Sequence, residues 1–90
     1  MGIDWISCGA VVFNKHKDKF LYLIIQSING KHWDFAKGQV EGNENEEQTA
    51  LREIKEETGV VPQIIPHFRG EITYEYKLGH LKKVIFFVAV

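Results

Sequence analysis

Three carboxylates in the middle of the chain, Glu53, Glu56 and Glu57, are spaced three and four residues apart. On a helix those spacings bring side chains to one face. Like charges stacked there repel and weaken the helix, and a divalent cation would remove the repulsion. Hard cations such as Mg²⁺ take oxygen ligands, usually one or two carboxylates together with substrate phosphates. The residue types and their spacing therefore point to a metal site for phosphate chemistry. The bland alternative is a solvated acidic face held by ordinary ion pairs.

The element that must position these groups can be read from its ends. Asn43 followed three residues later by Glu46 resembles a capping box, and Asn45 is an alternative N-cap. Glu44, Glu46 and Glu47 lie where the helix dipole favours negative charge. Gly59 suits the position after a helix end, and Pro62 forbids continuation. The spacing predicts a helix over residues 45–58. Ala50, Leu51 and Ile54 form its apolar side and should pack on a sheet. Glu46 falls on the carboxylate stripe two turns earlier. Arg52 can pair with Glu56 at i,i+4 or hold a neighbouring carboxylate.

The stretch containing these residues resembles the Nudix box. Its fixed positions are filled by Gly38, Glu44, Arg52, Glu53, Ile54, Glu56, Glu57, Gly59 and Val60, each at the required spacing. Residues 32–41 resemble the run before and into the box in the subgroup of asymmetric diadenosine tetraphosphate hydrolases. That subgroup usually has Pro where Ala36 stands and His where Gln39 stands. Residues 68–76 and 82–87 are similar to the same subgroup further on.

The resemblance implies Mg²⁺-dependent hydrolysis of a phosphoanhydride bond in a nucleoside polyphosphate, with Mn²⁺ as a substitute ion. The leading expectation is cleavage of diadenosine tetraphosphate to ATP and AMP. An RNA 5′-pyrophosphohydrolase, or a hydrolase of another nucleoside diphosphate derivative, is the alternative within the enzyme class. A non-catalytic nucleotide sensor is the alternative of another class, and the complete set of acidic positions argues against it. By resemblance Glu53, Glu56 and Glu57 are metal ligands, with the Gly38 carbonyl as a fourth. Either Glu57 or Glu53 orients the attacking water. Arg52 orients the carboxylates, and Glu44 reads as structural. His32, Lys37, Tyr74 and Lys83 are the expected substrate contacts, with Lys82 and Tyr76 as weaker candidates. For Tyr74 the competing reading is a core aromatic, and Trp33 reads as core.

The remaining sequence fits one domain of mixed α/β or α+β class over residues 1–90. Strands precede and follow a single helix. Residues 6–13 are apolar and β-rich, and residues 20–26 form a near-continuous apolar run that reads as a strand buried on both faces. Asn29-Gly30 signals a turn, and residues 33–36 a short strand. Ile72, Tyr74, Tyr76 and Leu78 alternate with polar residues, and residues 82–90 read as another strand. The resemblance implies an α/β/α sandwich around a mixed sheet. It also implies a further C-terminal part with a second long helix, which the 90 residues lack. Residues 86–88 would then show an uncovered face open to self-association.

A net charge of −1 gives no global attraction to nucleic acid or membrane, so the expected partner is a small nucleotide, or at most an RNA 5′ end. Lys31, Lys37, Lys77, Lys82 and Lys83 nevertheless flank the acidic segment, as suits a metal-bearing polyphosphate. One cysteine, Cys8, precludes an intramolecular disulfide and reads as a core residue. No apolar run approaches the ~18 residues of a spanning helix, and no signal-peptide pattern opens the chain, which reads as cytoplasmic.

Overall fold

The computed structural model describes residues 2–26 and 32–90. The Asn29-Gly30 turn and Lys31 lie outside them. The described residues form seven strands and one helix: β1 (Ile3–His16), β2 (Lys19–Tyr22), β3 (Ile25–Gln26), β4 (Trp33–Asp34), β5 (Lys37–Gln39), α1 (Glu46–Thr58), β6 (Ile64–Lys77) and β7 (His80–Ala89).

A five-stranded mixed sheet runs β2-β1-β7-β6, with β5 added to β1 on the side away from β7. β1 and β7 are parallel, and the remaining pairs are antiparallel. The chain thus closes its central pairing between segments some seventy residues apart. β3 and β4 make a separate two-stranded ribbon. The class is α+β, with the single helix laid on one face of the sheet. A second helical layer is not formed among the described residues.

Strand alternation decides what that helix meets. Cys8, Ala10 and Val12 of β1 and Ile85, Phe87 and Ala89 of β7 point to α1. They form one buried cluster with Ala36, Ala50 and Ile54. Small side chains on β1 let the helix approach closely, and Ile54 fills the space with no exposed surface. Burying such a side chain contributes about 1.5–3 kcal/mol. The expected apolar side of α1 is therefore present in Ala50 and Ile54, whereas Leu51 is only half-buried. Cys8 is a core residue, and burial, helped by the negative charge of Glu46, pushes its thiol up to about 11.

The helix begins one cap later than the Asn43–Glu46 reading. Asn45 is the N-cap: its Oδ1 accepts the Gln48 N–H at 2.8 Å, and Gln48 Oε1 accepts the Asn45 N–H at 2.9 Å. Glu46 is unavailable for that box because Arg69 of β6 holds both its oxygens, at 2.7 and 2.9 Å. Gly59 ends the helix in the left-handed region (φ 77°) and donates its N–H to the Lys55 carbonyl, the conformation that glycine enters most readily.

Two core expectations fail. The run 20–26 is not a strand buried on both faces. Regular pairing stops at Tyr22, and Phe20, Leu21 and Tyr22 are all more than half exposed. β2 is an edge strand that meets only the far end of β1, so neither face is covered by a second layer. Trp33 is likewise a surface residue, 61% exposed, because its strand pairs only with the two-residue β3. On β7, Phe87 is buried under α1, and Phe86 meets Phe35 edge to face at 6.3 Å on the opposite side.

Candidate active site

Arg52 is the hub of the acidic helix. Its Nε donates to Glu44 Oε2 at 2.6 Å and its Nη2 to Glu44 Oε1 at 3.0 Å. Nη1 donates to Glu53 Oε1 at 2.8 Å and to Glu56 Oε2 at 3.1 Å. Nη2 also donates to the Gln39 carbonyl at 2.9 Å. A guanidinium has five N–H donors, and these five bonds use them all. The hydrogen bonds to Glu44, Glu53 and Glu56 raise the arginine's pKa. Glu44 also accepts from Thr49 Oγ1 and from the Glu41 N–H, and the Arg52 hydrogen bond is the largest cause holding its carboxyl down at about 2. Glu44 thus closes the loop over the helix start, and the Gln39 bond ties that loop to β5.

Glu57 is left out of this network. Its carboxyl is pushed up to about 7, first by burial, then by hydrogen bonding to Glu53 and by the charges of Glu53 and Glu56, with Lys37 opposing. Glu57 is thus the carboxyl of this stretch that ionises least readily, one turn from Glu53. Lys37, whose charge opposes the shift of Glu57, is itself ion-paired with Asp34.

The backbone at Gly38 completes the arrangement. A Cβ placed there would lie 1.9 Å from Glu53 Cδ and 2.3 Å from both of its oxygens. Any larger residue there would require the Glu53 carboxylate to move. The donors gathered are a carboxyl pair and an adjacent main chain, all hard oxygen, which fits a divalent cation such as Mg²⁺. Among the described residues, no three His, Cys, Asp or Glu side chains already converge as a finished ligand set. The reason is visible in Glu56, which is turned toward Arg52.

The structure thus brings Gly38, Glu53, Glu57 and Arg52 together and leaves Glu56 at the rim. Lys37 and His32 line a neighbouring cleft of about 310 Å³ with Ile25, Asp34 and Phe35. Lys83 and Tyr74 are not part of that group. Lys83 points to the helix-bearing face, 3.7 Å from Glu71, while Tyr74 is 41% exposed on the opposite face and is not a core aromatic. Glu46, expected on the carboxylate stripe, is drawn to Arg69. Asp34 was missed by the sequence reading, although its spacing to Lys37 is that of an i,i+3 ion pair. Its carboxyl lies below the usual range. Burial opposes this, and it is outweighed by the Lys37 hydrogen bond, the Phe35 N–H and the charges of Lys37 and Lys82.

The NUDIX domain family model matches residues 5–90, and the chain belongs to the Nudix family. It is 37% identical over 78 residues to the mouse bis(5′-nucleosyl)-tetraphosphatase [asymmetrical], covering 76% of this chain and 53% of that protein. Among solved structures it is similar to the crystal structure of the C. elegans Ap4A hydrolase, with TM-score 0.84 and 32% identity over 94% of this chain and 66% of that one. A shorter match, 35% identical over 51 residues, links it to the m7GpppN-mRNA hydrolase of Saccharomyces cerevisiae, covering 57% of this chain and 5% of that protein. The chain spans about half the length of the tetraphosphatases it matches. No helix among the described residues is long and apolar enough to cross a membrane.

Proposed function

We propose that this chain carries the metal site of a hydrolase that cleaves a phosphoanhydride bond in a nucleoside polyphosphate, with diadenosine tetraphosphate as the leading substrate. The observation that carries the proposal is the Glu53–Glu57 carboxyl pair, with Glu53 pressed against Gly38 and Glu57 outside the Arg52 network. The likeness to the tetraphosphatases supports the substrate.

Gly38, Glu53 and Glu57 would hold a divalent ion, Mg²⁺ by preference, with Glu56 joining if released from Arg52. Such an ion polarises a phosphoryl oxygen and lowers the pKa of bound water. The chain's own residues do the rest. Arg52 fixes the orientation of Glu53 and locks the β5 loop to α1. One of Glu53 and Glu57 orients the attacking water and takes its proton. Water attacks phosphorus, the bridging P–O bond breaks, and the leaving phosphate oxygen is protonated on release. Diadenosine tetraphosphate plus water then gives ATP and AMP. Lys37, next to Gly38, and His32, in the same cleft, would meet phosphate oxygens. Tyr74, on the sheet face opposite Lys83, would meet a more distant part of the substrate.

The test is chromatography of the products from a substrate panel that includes diadenosine tetraphosphate, nucleoside diphosphate derivatives and capped RNA. ATP and AMP should form only with a divalent ion. Glu57→Gln should lower turnover at least about a hundredfold. Undiminished turnover in that variant would refute the assignment. The match to an mRNA hydrolase favours capped RNA as the second substrate, and the same panel ranks the two.

A further inference from the structure

Thr49 is the polar residue among those that α1 buries, and it has no exposed surface. Position 49 is not one of the fixed positions of the Nudix box. A threonine inside a helix can satisfy its hydroxyl on the carbonyl four residues back. Thr58 of the same helix does so, donating to the Ile54 carbonyl at 2.6 Å. Thr49 has the Asn45 carbonyl at that offset and gives it the backbone N–H, at 3.1 Å. Its hydroxyl turns instead to Glu44 Oε1, at 2.9 Å, in the turn ahead of the helix.

That bond distinguishes the two oxygens of Glu44. Oε1 accepts from Thr49, from the Glu41 N–H at 3.1 Å and from Arg52 Nη2 at 3.0 Å, whereas Oε2 faces Arg52 Nε at 2.6 Å. Two donors outside the guanidinium therefore hold the carboxylate on which it rests. Of these two, Thr49 belongs to the helix that carries the carboxyl pair. It refers the Arg52 fork to the frame in which Glu53 and Glu57 are placed. A guanidinium is planar and its N–H directions are fixed. With Nε and Nη2 docked on Glu44, Nη1 is aimed at Glu53 Oε1, 2.8 Å away, and at Glu56 Oε2, 3.1 Å away. Thr49 lies one turn before both Arg52 and Glu53, so the relay runs along one side of the helix. It is sheltered as far as the Glu53 side chain, which is 15% exposed, while the Glu56 arm is 57% exposed and open to water. Hydrogen bonds away from water hold their geometry more firmly, so the relay acts chiefly on Glu53.

We infer that Thr49 is a positioning residue of the candidate metal site: its hydroxyl fixes Glu44, Glu44 fixes the Arg52 fork, and the fork fixes the Glu53 carboxylate that would face a divalent ion. This role rests on the reading of Glu53 and Glu57 as ligands of that ion. The competing account is a buried hydroxyl that takes a partner and adds stability alone.

Thr49→Val keeps the shape and removes the donor, whereas Thr49→Ser keeps the donor and removes the methyl group. Both lower stability to urea, the first through the lost hydrogen bond and the second through lost packing. If stability were the whole role, function would follow it in both variants. The relay separates them. Thr49→Val should weaken Mg²⁺ binding about tenfold by calorimetry, the lower end for a group that orients a ligand through its partner. It should lower kcat for diadenosine tetraphosphate to a similar extent, with KM nearly unchanged. Thr49→Ser should stay close to the wild type in all three. Thr49→Ala removes the same donor and favours the helix, so it should repeat the valine result even where valine is poorly accepted. In a Glu44→Ala background the relay is already cut, and Thr49→Val should then leave Mg²⁺ affinity nearly unchanged. Valine and alanine variants that match a Mg²⁺-binding wild type, a serine variant as impaired as valine, or a full valine effect in the Glu44→Ala background would overturn the role of Thr49 and leave the metal site standing. A wild-type chain that binds no Mg²⁺ would overturn the metal site, and the role of Thr49 with it. The calorimetric comparison needs no turnover, so it decides the role of Thr49 whichever nucleotide is hydrolysed.

Discussion

Replacing Glu57 with Gln should stabilise the metal-free protein at pH 8 and leave it almost unchanged at pH 4.5. The Glu57 carboxyl rises from 4.5 to about 7 on folding, chiefly by burial and then by its hydrogen bond to Glu53. Below pH 4.5 it is protonated in both states and contributes no pH dependence. Between 4.5 and 7 the folded chain holds a proton that the unfolded chain has released, so unfolding free energy falls as pH rises. Above 7 the loss is complete. At 1.36 kcal/mol per pH unit the upper bound is about 3 kcal/mol. Glu57 is an exposed residue, and solvent screening reduces the expected loss to about 1 kcal/mol.

Urea unfolding in a chelator at pH 4.5, 6 and 8 measures this directly, because the difference between wild type and Glu57→Gln cancels every other titrating group. The variant's advantage should grow through that window. Mg²⁺ at a hundred times its Kd should then reverse the order at pH 8, stabilising the wild-type chain by about 2.7 kcal/mol and the variant by much less. At pH 4.5 protons compete for the pair, and the Mg²⁺ effect should shrink. A difference between the two proteins that stays constant across the window would refute the raised Glu57 carboxyl. Equal stabilisation of both by Mg²⁺ would remove Glu57 from the ligand set.

Arg52→Lys keeps the charge and loses the five-donor fork, so urea unfolding should show a loss of about 2 kcal/mol and kcat/KM should fall with it. Gly38→Ala drives a Cβ into the Glu53 carboxylate. Calorimetric titration should show Mg²⁺ binding lost or much weakened, while far-UV circular dichroism keeps the helix. Asn45→Ala removes the side-chain acceptor for the Gln48 N–H and should cost about 1 kcal/mol. A fall in Tm of about 4–8 °C is expected for a domain of this size, and Asn45→Asp should recover most of it.

The helix and its chemistry were legible in the sequence because both are local. Asn45, Gly59 and Pro62 mark the ends within a single turn, and the Glu and Arg spacings translate directly into helix neighbours. The strand content after Pro62 was legible from its alternation. Burial was not. The apolar run 20–26 has the composition of a core strand, but composition does not say that β2 sits at an edge. The alternation of Ile72, Tyr74, Tyr76 and Leu78 predicts a half-buried strand, yet β6 is an edge strand exposed on both faces along most of its length, with no second layer over it among the described residues. Lys82 and Lys83 are adjacent in sequence but point to opposite faces, and only the parallel pairing of β1 with β7 shows that Lys82 is the one beside Trp5.

The positions where local rules break are those that the site needs. Glu53 and Glu57 at i,i+4 weaken α1 by about 0.2–0.5 kcal/mol through repulsion alone. A lysine or arginine at position 57 would turn that repulsion into attraction. The surroundings instead favour the helix by other means: the Asn45–Gln48 box, the left-handed Gly59 and the full burial of Ile54. Arg52 could have neutralised the pair, but its donors go to Glu44, Glu56, the Gln39 carbonyl and only one oxygen of Glu53. Lys37 could have done so too, and Asp34 holds it away. Every nearby cation is thus engaged, and the excess negative charge collects where Gly38 leaves room. A scaffold under no demand beyond stability would place charges so that they cancel. The negative charge left at this corner is what the proposed divalent ion would neutralise.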